Sequence, residues 1–219
     1  MSRSRIALTL LMVFALPMGI ALPAAAAWEE PRFEITPWYG YRLGGEFDDL
    51  ENDPGFDLQV EDSASRGLIL SYNWDENVQI ELMYSIQSST LEGSDAVFTP
   101  AGSDLFDLDI ETWMIGGNYA WGQPVDPLRG YVGFSAGINH FDPQTPEFDG
   151  DSQFAFSFYG GGRVRVARHF GLRFQAAWIP TYINSDTEVF CNNLGTCFEI
   201  ADANFFHQFE LLGGLTFRF

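Results

Sequence analysis

The sequence predicts an all-β chain, an eight-stranded antiparallel up-and-down transmembrane β-barrel. Three observations carry that prediction. The stretch Asn204–Phe219, NFFHQFELLGGLTFRF, sets Phe205, His207, Phe209, Leu211, Gly213, Leu215, Phe217 and Phe219 on one face, and Asn204, Phe206, Gln208, Glu210, Leu212, Gly214, Thr216 and Arg218 on the other. A period of two belongs to a strand, because successive side chains point to opposite sides. Seven earlier segments alternate in the same way, and the links between the eight run long, short, long, short, long, short, long. Strands of about ten residues joined by alternating tight turns and long loops are the pattern of a barrel that crosses a membrane.

The chain opens on residues 1–27, read as a cleaved secretory signal. Arg3 and Arg5 precede the apolar run Ile6–Leu22, and small residues end at Ala25-Ala26-Ala27. Pro17, Gly19 and Pro23 interrupt the run and disfavour a membrane helix. The barrel domain is then residues 28–219.

The first strand is Phe33–Leu43. Phe33, Ile35, Pro37, Tyr39, Tyr41 and Leu43 face one way, and Glu34, Thr36, Trp38, Gly40 and Arg42 the other. Pro37 cannot donate to the ladder, so an irregularity is expected there. After the acidic stretch Glu46–Asp57, the second strand runs from Leu58 to Trp74, with Leu68, Leu70, Tyr72 and Trp74 on its apolar face. Asp75-Glu76-Asn77 is a tight turn into the third strand, Val78–Thr90. There Val78, Ile80, Leu82, Tyr84 and Ile86 oppose Gln79, Glu81, Met83, Ser85 and Gln87.

Leu91–Phe106 is a long loop. In the fourth strand, Asp107–Trp121, Leu108, Ile110 and Met114 are expected on the lipid face, opposite Asp109 and Glu111. That assignment conflicts with the far end of the strand. Either Asn118 faces lipid or a bulge near Trp113 shifts the parity. The fifth strand, Arg129–Phe141, sends Val132, Phe134, Ala136 and Ile138 outward. The sixth, Ser152–Ala167, does the same with Phe154, Phe156, Phe158, Val164 and Val166, opposite Tyr159, Arg163 and Arg165. The seventh, Gly171–Asn184, presents Leu172, Phe174, Ala176, Trp178 and Tyr182. The loop Ser185–Ala203 leads into the closing strand.

An eight-stranded interior is just wide enough to be filled by side chains. The rows of Phe, Leu, Ile and Tyr exceed such a lumen, whereas Glu, Arg, Gln, Ser and Gly fit it. The apolar rows therefore face lipid, and a soluble barrel with the opposite sidedness is disfavoured. Trp74, Tyr119, Trp121 and Tyr182, near segment ends, suit interfacial girdles.

Composition narrows function further. The formal charge is −19, and loss of Arg3 and Arg5 takes it to −21. All eleven basic residues are arginine, and nucleic acid is excluded as a partner because its phosphates need basic surfaces. Cys191 and Cys197, in CNNLGTC, are read as a disulfide; the spacing is not C-x-x-C and no further zinc ligands stand nearby. On the loop-entropy account so small a ring stabilises the fold by roughly 2 kcal/mol.

The signal, the eight alternating segments and the terminal TFRF together resemble the small outer-membrane β-barrels of Gram-negative bacteria, the OmpA/OmpX-like type. The resemblance rests on pattern over the mature chain. It implies export to the bacterial outer membrane, contact with outer-membrane lipid and lipopolysaccharide, and a monomer. It also implies that Phe219, Phe217 and Leu215 act as a signal to the barrel-assembly machinery. It implies no single activity, since members include anchors, adhesins, narrow pores and lipid-modifying enzymes.

The inward set is expected to form a lumen ion-pair network of Glu34, Arg42, Glu81, Glu111, Arg163, Arg173, Glu210 and Arg218. A gated pore is the alternative use of the same groups. No catalytic constellation is assigned. Of His140, His169 and His207, neither His140 (followed by Phe141-Asp142) nor His207 (followed by Gln208-Phe209) has the serine two residues on that a barrel-type lipid deacylase uses. A carboxylate–histidine protease through His140 and Asp142 is the remaining enzymatic option. Asp48, Asp49, Glu51, Asp53 and Asp57 crowd the first long loop and could hold Ca²⁺ or Mg²⁺. No D-x-D-x-D-G pattern with a trailing glutamate supports a dedicated metal site, so solvated charge is the stronger reading. The sequence thus points to a non-enzymatic barrel with a structural or surface-contact role.

Overall fold

The computed structural model describes residues 31–45, 56–95, 103–144, 150–183, 188–191, 197–199 and 204–219. Every regular element among them is a strand: β1 (Phe33–Leu43), β2 (Phe56–Val60), β3 (Ser63–Asn73), β4 (Val78–Asp95), β5 (Ser103–Ala120), β6 (Leu128–Pro143), β7 (Asp151–Arg165), β8 (Phe170–Ile183), β9 (Glu188–Cys191), β10 (Cys197–Glu199) and β11 (Asn204–Arg218). Nine of them form one antiparallel sheet in the order β2-β4-β3-β1-β11-β8-β7-β6-β5, and the pairing of β4 with β5 closes it into a barrel. β2 and β3 share one wall position, so the barrel has eight strands. Closure leaves no open edge, a requirement in lipid, which cannot satisfy free backbone groups.

The seam joins β1 to β11, with Glu34 opposite Arg218 and Arg42 opposite Glu210. Phe219 N donates to Phe33 O at 2.9 Å beyond the last ladder pair. The second predicted strand is interrupted at Glu61–Asp62. Val60 pairs with Leu91 and Ser65 with Gln87, so five steps on one strand face four on the other, which is a bulge. The ladder from β1 to β3 runs through Pro37, whereas the ladder to β11 has no pairs at Thr36 and Pro37 and resumes in the same register at Trp38, the local irregularity expected of a residue that cannot donate. β4 and β5 extend to Asp95 and back to Ser103, further than the sequence implied, so the loop between them is shorter. The cysteine loop likewise contains a small hairpin, β9–β10, in which Cys191 and Cys197 are register partners. Their side chains, and with them the disulfide, lie outside the described residues.

The short turns are tied by local hydrogen bonds. Asp75 Oδ1 accepts Asn77 N at 2.7 Å and Val78 N at 2.8 Å, and Asp126 Oδ2 accepts Gln123 N at 2.6 Å. These turns lie at the end of the barrel that carries Phe33 and Phe219 (the turn end). The long connections lie at the other (the loop end).

Sidedness follows the alternation on seven strands. β1 reads exposed–buried throughout, with Phe33, Ile35, Tyr39, Tyr41 and Leu43 outside. On β11, Phe205, Phe209, Leu211, Leu215 and Phe219 are exposed while Gln208, Glu210, Thr216 and Arg218 are buried. Phe33–Tyr72 (5.2 Å between centroids), Tyr119–Trp121 (6.4 Å) and Phe170–Phe217 (5.2 Å) girdle the turn end, with Tyr84–Trp113 (4.5 Å) and Phe158–Trp178 (5.9 Å) higher up.

The fourth strand corrects the sequence reading. In β5, Leu108, Ile110, Met114 and Asn118 all point inward and are buried, while Asp109, Glu111, Trp113, Ile115 and Tyr119 point outward. Its ladders to β4 and β6 run without a shift from Asp107 to Ala120, so neither a bulge near Trp113 nor a lipid-facing Asn118 occurs. The parity is constant and the surroundings change. Strands of 15–18 residues exceed the roughly ten that cross hydrocarbon. At the loop end the outer wall carries Asp107, Asp109, Glu111, His140, Asp142 and Ser152. There the interior is filled by Leu108, Ile110, Phe141, Ile183 and Phe206, all buried.

Candidate functional site: the lumen

The lumen is built in layers. At the turn end, Arg218 Nε lies 3.2 Å from Glu34 Oε1, a direct cross-strand pair on the seam. The hydroxyls of Thr36 and Thr216 bond at 3.0 Å just above. Arg163 donates through Nη2 to Asn118 Oδ1, and Asn118 in turn donates to Gln79 Oε1 at 3.3 Å. Arg129 donates through Nη2 to Glu76 O at 2.6 Å and Asn77 Oδ1 at 3.0 Å, and Arg165 to Pro124 O.

The middle layer centres on Glu81. Arg173 grips its carboxylate with both Nη groups, one of them at 3.0 Å, across the barrel from β8 to β4. Ser71 Oγ donates to Glu81 Oε1 at 3.0 Å and Tyr159 Oη to Oε2 at 2.8 Å, so both carboxylate oxygens are multiply satisfied. Gln175 Oε1 accepts from Arg173 Nη2 at 2.6 Å and from Tyr131 Oη at 3.1 Å. The Tyr131 ring lies between two guanidiniums, Arg163 at 4.6 Å and Arg173 at 4.7 Å from its centroid. Large aromatics fit so narrow a lumen because glycines stand opposite them. A Cβ at Gly133 would lie 2.4 Å from the Tyr159 ring, and one at Gly67 2.7 Å from the Trp38 indole.

An apolar band follows, including Trp38, Ile69, Met83, Met114, Ala177, Ile179 and Leu212. Above it Arg42 pairs with Glu210 through Nη2 at 2.7 Å and Nε at 3.0 Å, and its Nη2 and Nη1 also donate to Ser85 (2.9 Å) and Thr112 (3.3 Å). Gln208 bonds Gln87 at 3.1 Å and Asn139 bonds Thr181 at 2.7 Å. The Leu108–Ile110–Phe141–Phe206 cluster caps the loop end, with the rings of Phe141 and Phe206 6.1 Å apart. Among the described residues, the lumen holds small spaces of about 20 Å³ near the turn end and about 10 Å³ beside Arg42. Each holds little more than one water.

Seven of the eight residues expected in the network face the lumen, and six form three ion pairs: Glu34–Arg218, Glu81–Arg173 and Glu210–Arg42. The seventh, Arg163, reaches Asn118 and Tyr131 instead. Glu111 is the correction. It sits on the outer wall opposite His140, because its strand stands clear of hydrocarbon there and water accepts its charge. Sequence reasoning missed Arg129 and Tyr131, which follow directly from the parity of β6, and the apolar cap, which does not.

The histidines take separate places. His140 Nδ1 and Ser152 Oγ share a hydrogen bond of 2.8 Å on the outer wall, and Asp142 lies on the same face. His169 Nδ1 bonds Arg218 O at 3.0 Å in a turn. His207 stacks between Trp178 and Phe205 on the outward side, with centroids 5.5 and 6.1 Å away. Phe219, Phe217 and Leu215 all face outward near the turn end. Of the acidic first loop, Asp48, Asp49, Glu51 and Asp53 lie outside the described residues, and only the backbone of Asp57 is described. Among the described residues no three His, Cys, Asp or Glu side chains gather to hold a metal ion.

A family model described as outer membrane protein beta-barrel domain matches residues 12–196. No curated protein matches the chain. Among solved structures it is similar to the outer membrane protein OprG of Pseudomonas aeruginosa, at 11% identity and a TM-score of 0.59, covering 87% of this chain and 97% of that one. It is similar to Neisserial surface protein A, at 11% identity and 0.58, covering 85% and 97%. The outer membrane protein AlkL in lipid bilayers matches at 14% identity and 0.56, covering 92% and 97%. At these identities the likeness is one of fold.

Proposed function

The chain belongs to the outer membrane protein β-barrel family, and from that premise we propose that it is a non-enzymatic surface-contact protein, a sealed monomeric barrel that holds acid-rich loops outside the cell. Family membership implies the bacterial outer membrane, so the turn end is periplasmic and the loop end extracellular. The observation that supports the contact reading is the double seal of the lumen. Three buried ion pairs block the lumen at the turn end, in the middle layer and above the apolar band, and the apolar cap closes the extracellular mouth. Neither of the two lumen spaces lined by described residues admits a solute larger than water.

With no path through the barrel, what the molecule offers its surroundings is its outside. Its hydrophobic wall contacts outer-membrane lipid and lipopolysaccharide, and its long loops together with the strand ends that lead into them carry most of the negative charge. Asp48, Asp49, Glu51, Asp53 and Asp57 then act through charge, with Ca²⁺ or Mg²⁺ bridging them to lipopolysaccharide phosphates.

Planar-bilayer recording tests the seal. The wild-type barrel is expected to give no conductance steps, and steps that vanish in Glu210→Gln or Arg163→Gln would replace this reading with a gated pore. Deleting residues 46–57 is expected to weaken attachment of cells displaying the barrel while leaving its heat-modifiable gel migration intact. An unchanged lipopolysaccharide mass after incubation with folded protein is expected, and a lost acyl chain would establish an enzyme.

A further inference from the structure

Beyond Arg3 and Arg5, the arginines turn into the lumen or stand at the turn end, as Arg32 and Arg168 do, with one exception. Arg66 is exposed on the outward face of β3. The long connections at the loop end, residues 46–57, 91–106, 142–151 and 185–203, contain no arginine, and the chain has no lysine. Arg66 stands among apolar neighbours. Its cross-strand partners are Tyr39 and Ile86, and Leu68 follows it on the same strand. The row continues through Glu111 and His140 to Ser152. It leaves β11 at Gly213, and by Ser152 it has passed above Phe154, whose row returns to β11 at Phe205, so it climbs toward the loop end. Arg66 therefore sits lower on the wall than Glu111, in the oily part of the exterior. Among the described residues no ion pair or hydrogen bond holds its guanidinium. Asp62, at the bulge above it, accepts Gly44 N instead. A cation facing hydrocarbon is costly unless it reaches a counter-charge, and here the protein supplies none.

We propose that Arg66 binds a phosphate of lipid A, the acylated anchor of lipopolysaccharide, in the outer leaflet. The inference rests on the lipopolysaccharide contact proposed above and gives that contact a residue. The long stem lets the guanidinium rise along the wall to the headgroup level, and its planar fork matches a phosphate with two hydrogen bonds. Tyr39, Leu68 and Ile86 leave an apolar floor beside it for the acyl chains. Charge fixes the place: Asp107, Asp109, Glu111 and Asp142 repel a phosphate from the wall of β5 and β6, and Arg66 is the one arginine on the wall toward the loop end.

The test is native mass spectrometry of the folded full barrel in detergent micelles, offered lipid A and phosphatidylglycerol in equal amounts. The wild type is expected to retain one lipid A in preference to phosphatidylglycerol. Arg66→Gln is expected to lower that retention about tenfold, and Arg66→Lys to recover part of it. Arg32→Gln, at the turn end, is expected to change nothing. Lipid A stripped of its phosphates is expected to be held equally by the wild type and Arg66→Gln, an arm that reads the phosphate on the unmutated barrel as well. Equal retention of intact lipid A by the wild type and Arg66→Gln, the same deficit with the stripped lipid, or a preference for phosphatidylglycerol would each overturn the proposal. The surface-contact reading fails separately, in the attachment assay on the deletion of residues 46–57, which keeps Arg66.

Discussion

Below the row formed by Glu111, His140 and Ser152, the barrel is oily without and, apart from the band around Trp38 and Met114, polar within; above it, on β5, the two sides exchange roles. Ile115 and Trp113 face outward in the lower part of β5, and Asn118 faces in. A few residues along the same strand, Asp109 and Glu111 face outward while Leu108 and Ile110 are buried. No bulge separates the two regimes. The backbone fixes only that neighbours point to opposite sides. Which side receives the apolar residue is decided by what lies outside the wall, hydrocarbon below and water above. The upper part is built like a small soluble barrel standing on a membrane one.

The contrast can be broken most severely at the lower interior. Glu81→Gln strands the buried Arg173 guanidinium without its carboxylate and is expected to cost about 3–5 kcal/mol in a urea titration of the protein folded in bilayers. Next is the lower exterior, where Ile115→Arg puts a charge between the aromatic girdles and is expected to cost about 2–4 kcal/mol by the same measurement. At the upper interior, Ile110→Ala opens a hole in the apolar cap, with an expected loss of about 2–3 kcal/mol and a small rise in leak conductance. The smallest effect belongs to the upper exterior. Glu111→Gln, the same change as at Glu81, is expected to stay within about 0.5 kcal/mol because water already solvates the group. A cost at Glu111 near that at Glu81 would place both carboxylates inside and undo the distinction.

Much of this was legible in the residues. On β1, β8 and β11 every second side chain is unambiguous, and the periodicity alone assigned the walls. The number of strands and the alternation of turns and loops followed from the same pattern. Of the site, the seam pairs Glu34–Arg218 and Arg42–Glu210 are cross-strand neighbours, available once the first strand is laid against the last. The Glu81–Arg173 grip was not available in that way. It spans the lumen between β4 and β8, which share no ladder, so only the closed geometry brings the two together. Glu111 was misplaced because alternation gives phase and not sign. The sequence carries no mark of where hydrocarbon ends, and extending the lipid reading up the whole of β5 pulled its carboxylate indoors. The fit of Tyr159 and Trp38 was hidden for a related reason: their partners Gly133 and Gly67 are remote in sequence and become neighbours only through register.

The seam between β1 and β11 has a kinetic consequence. One is the first strand in chain order and the other the last, so the ring cannot be completed until both extremities of the chain have arrived together. Every partly emerged intermediate exposes two ragged borders and an unsealed bore in which Arg42 and Arg218 have not yet met their carboxylates. Completion is then a single late event, and a chain shortened by a few C-terminal residues forfeits the Phe33–Phe219 clasp and the Glu34–Arg218 bond at once.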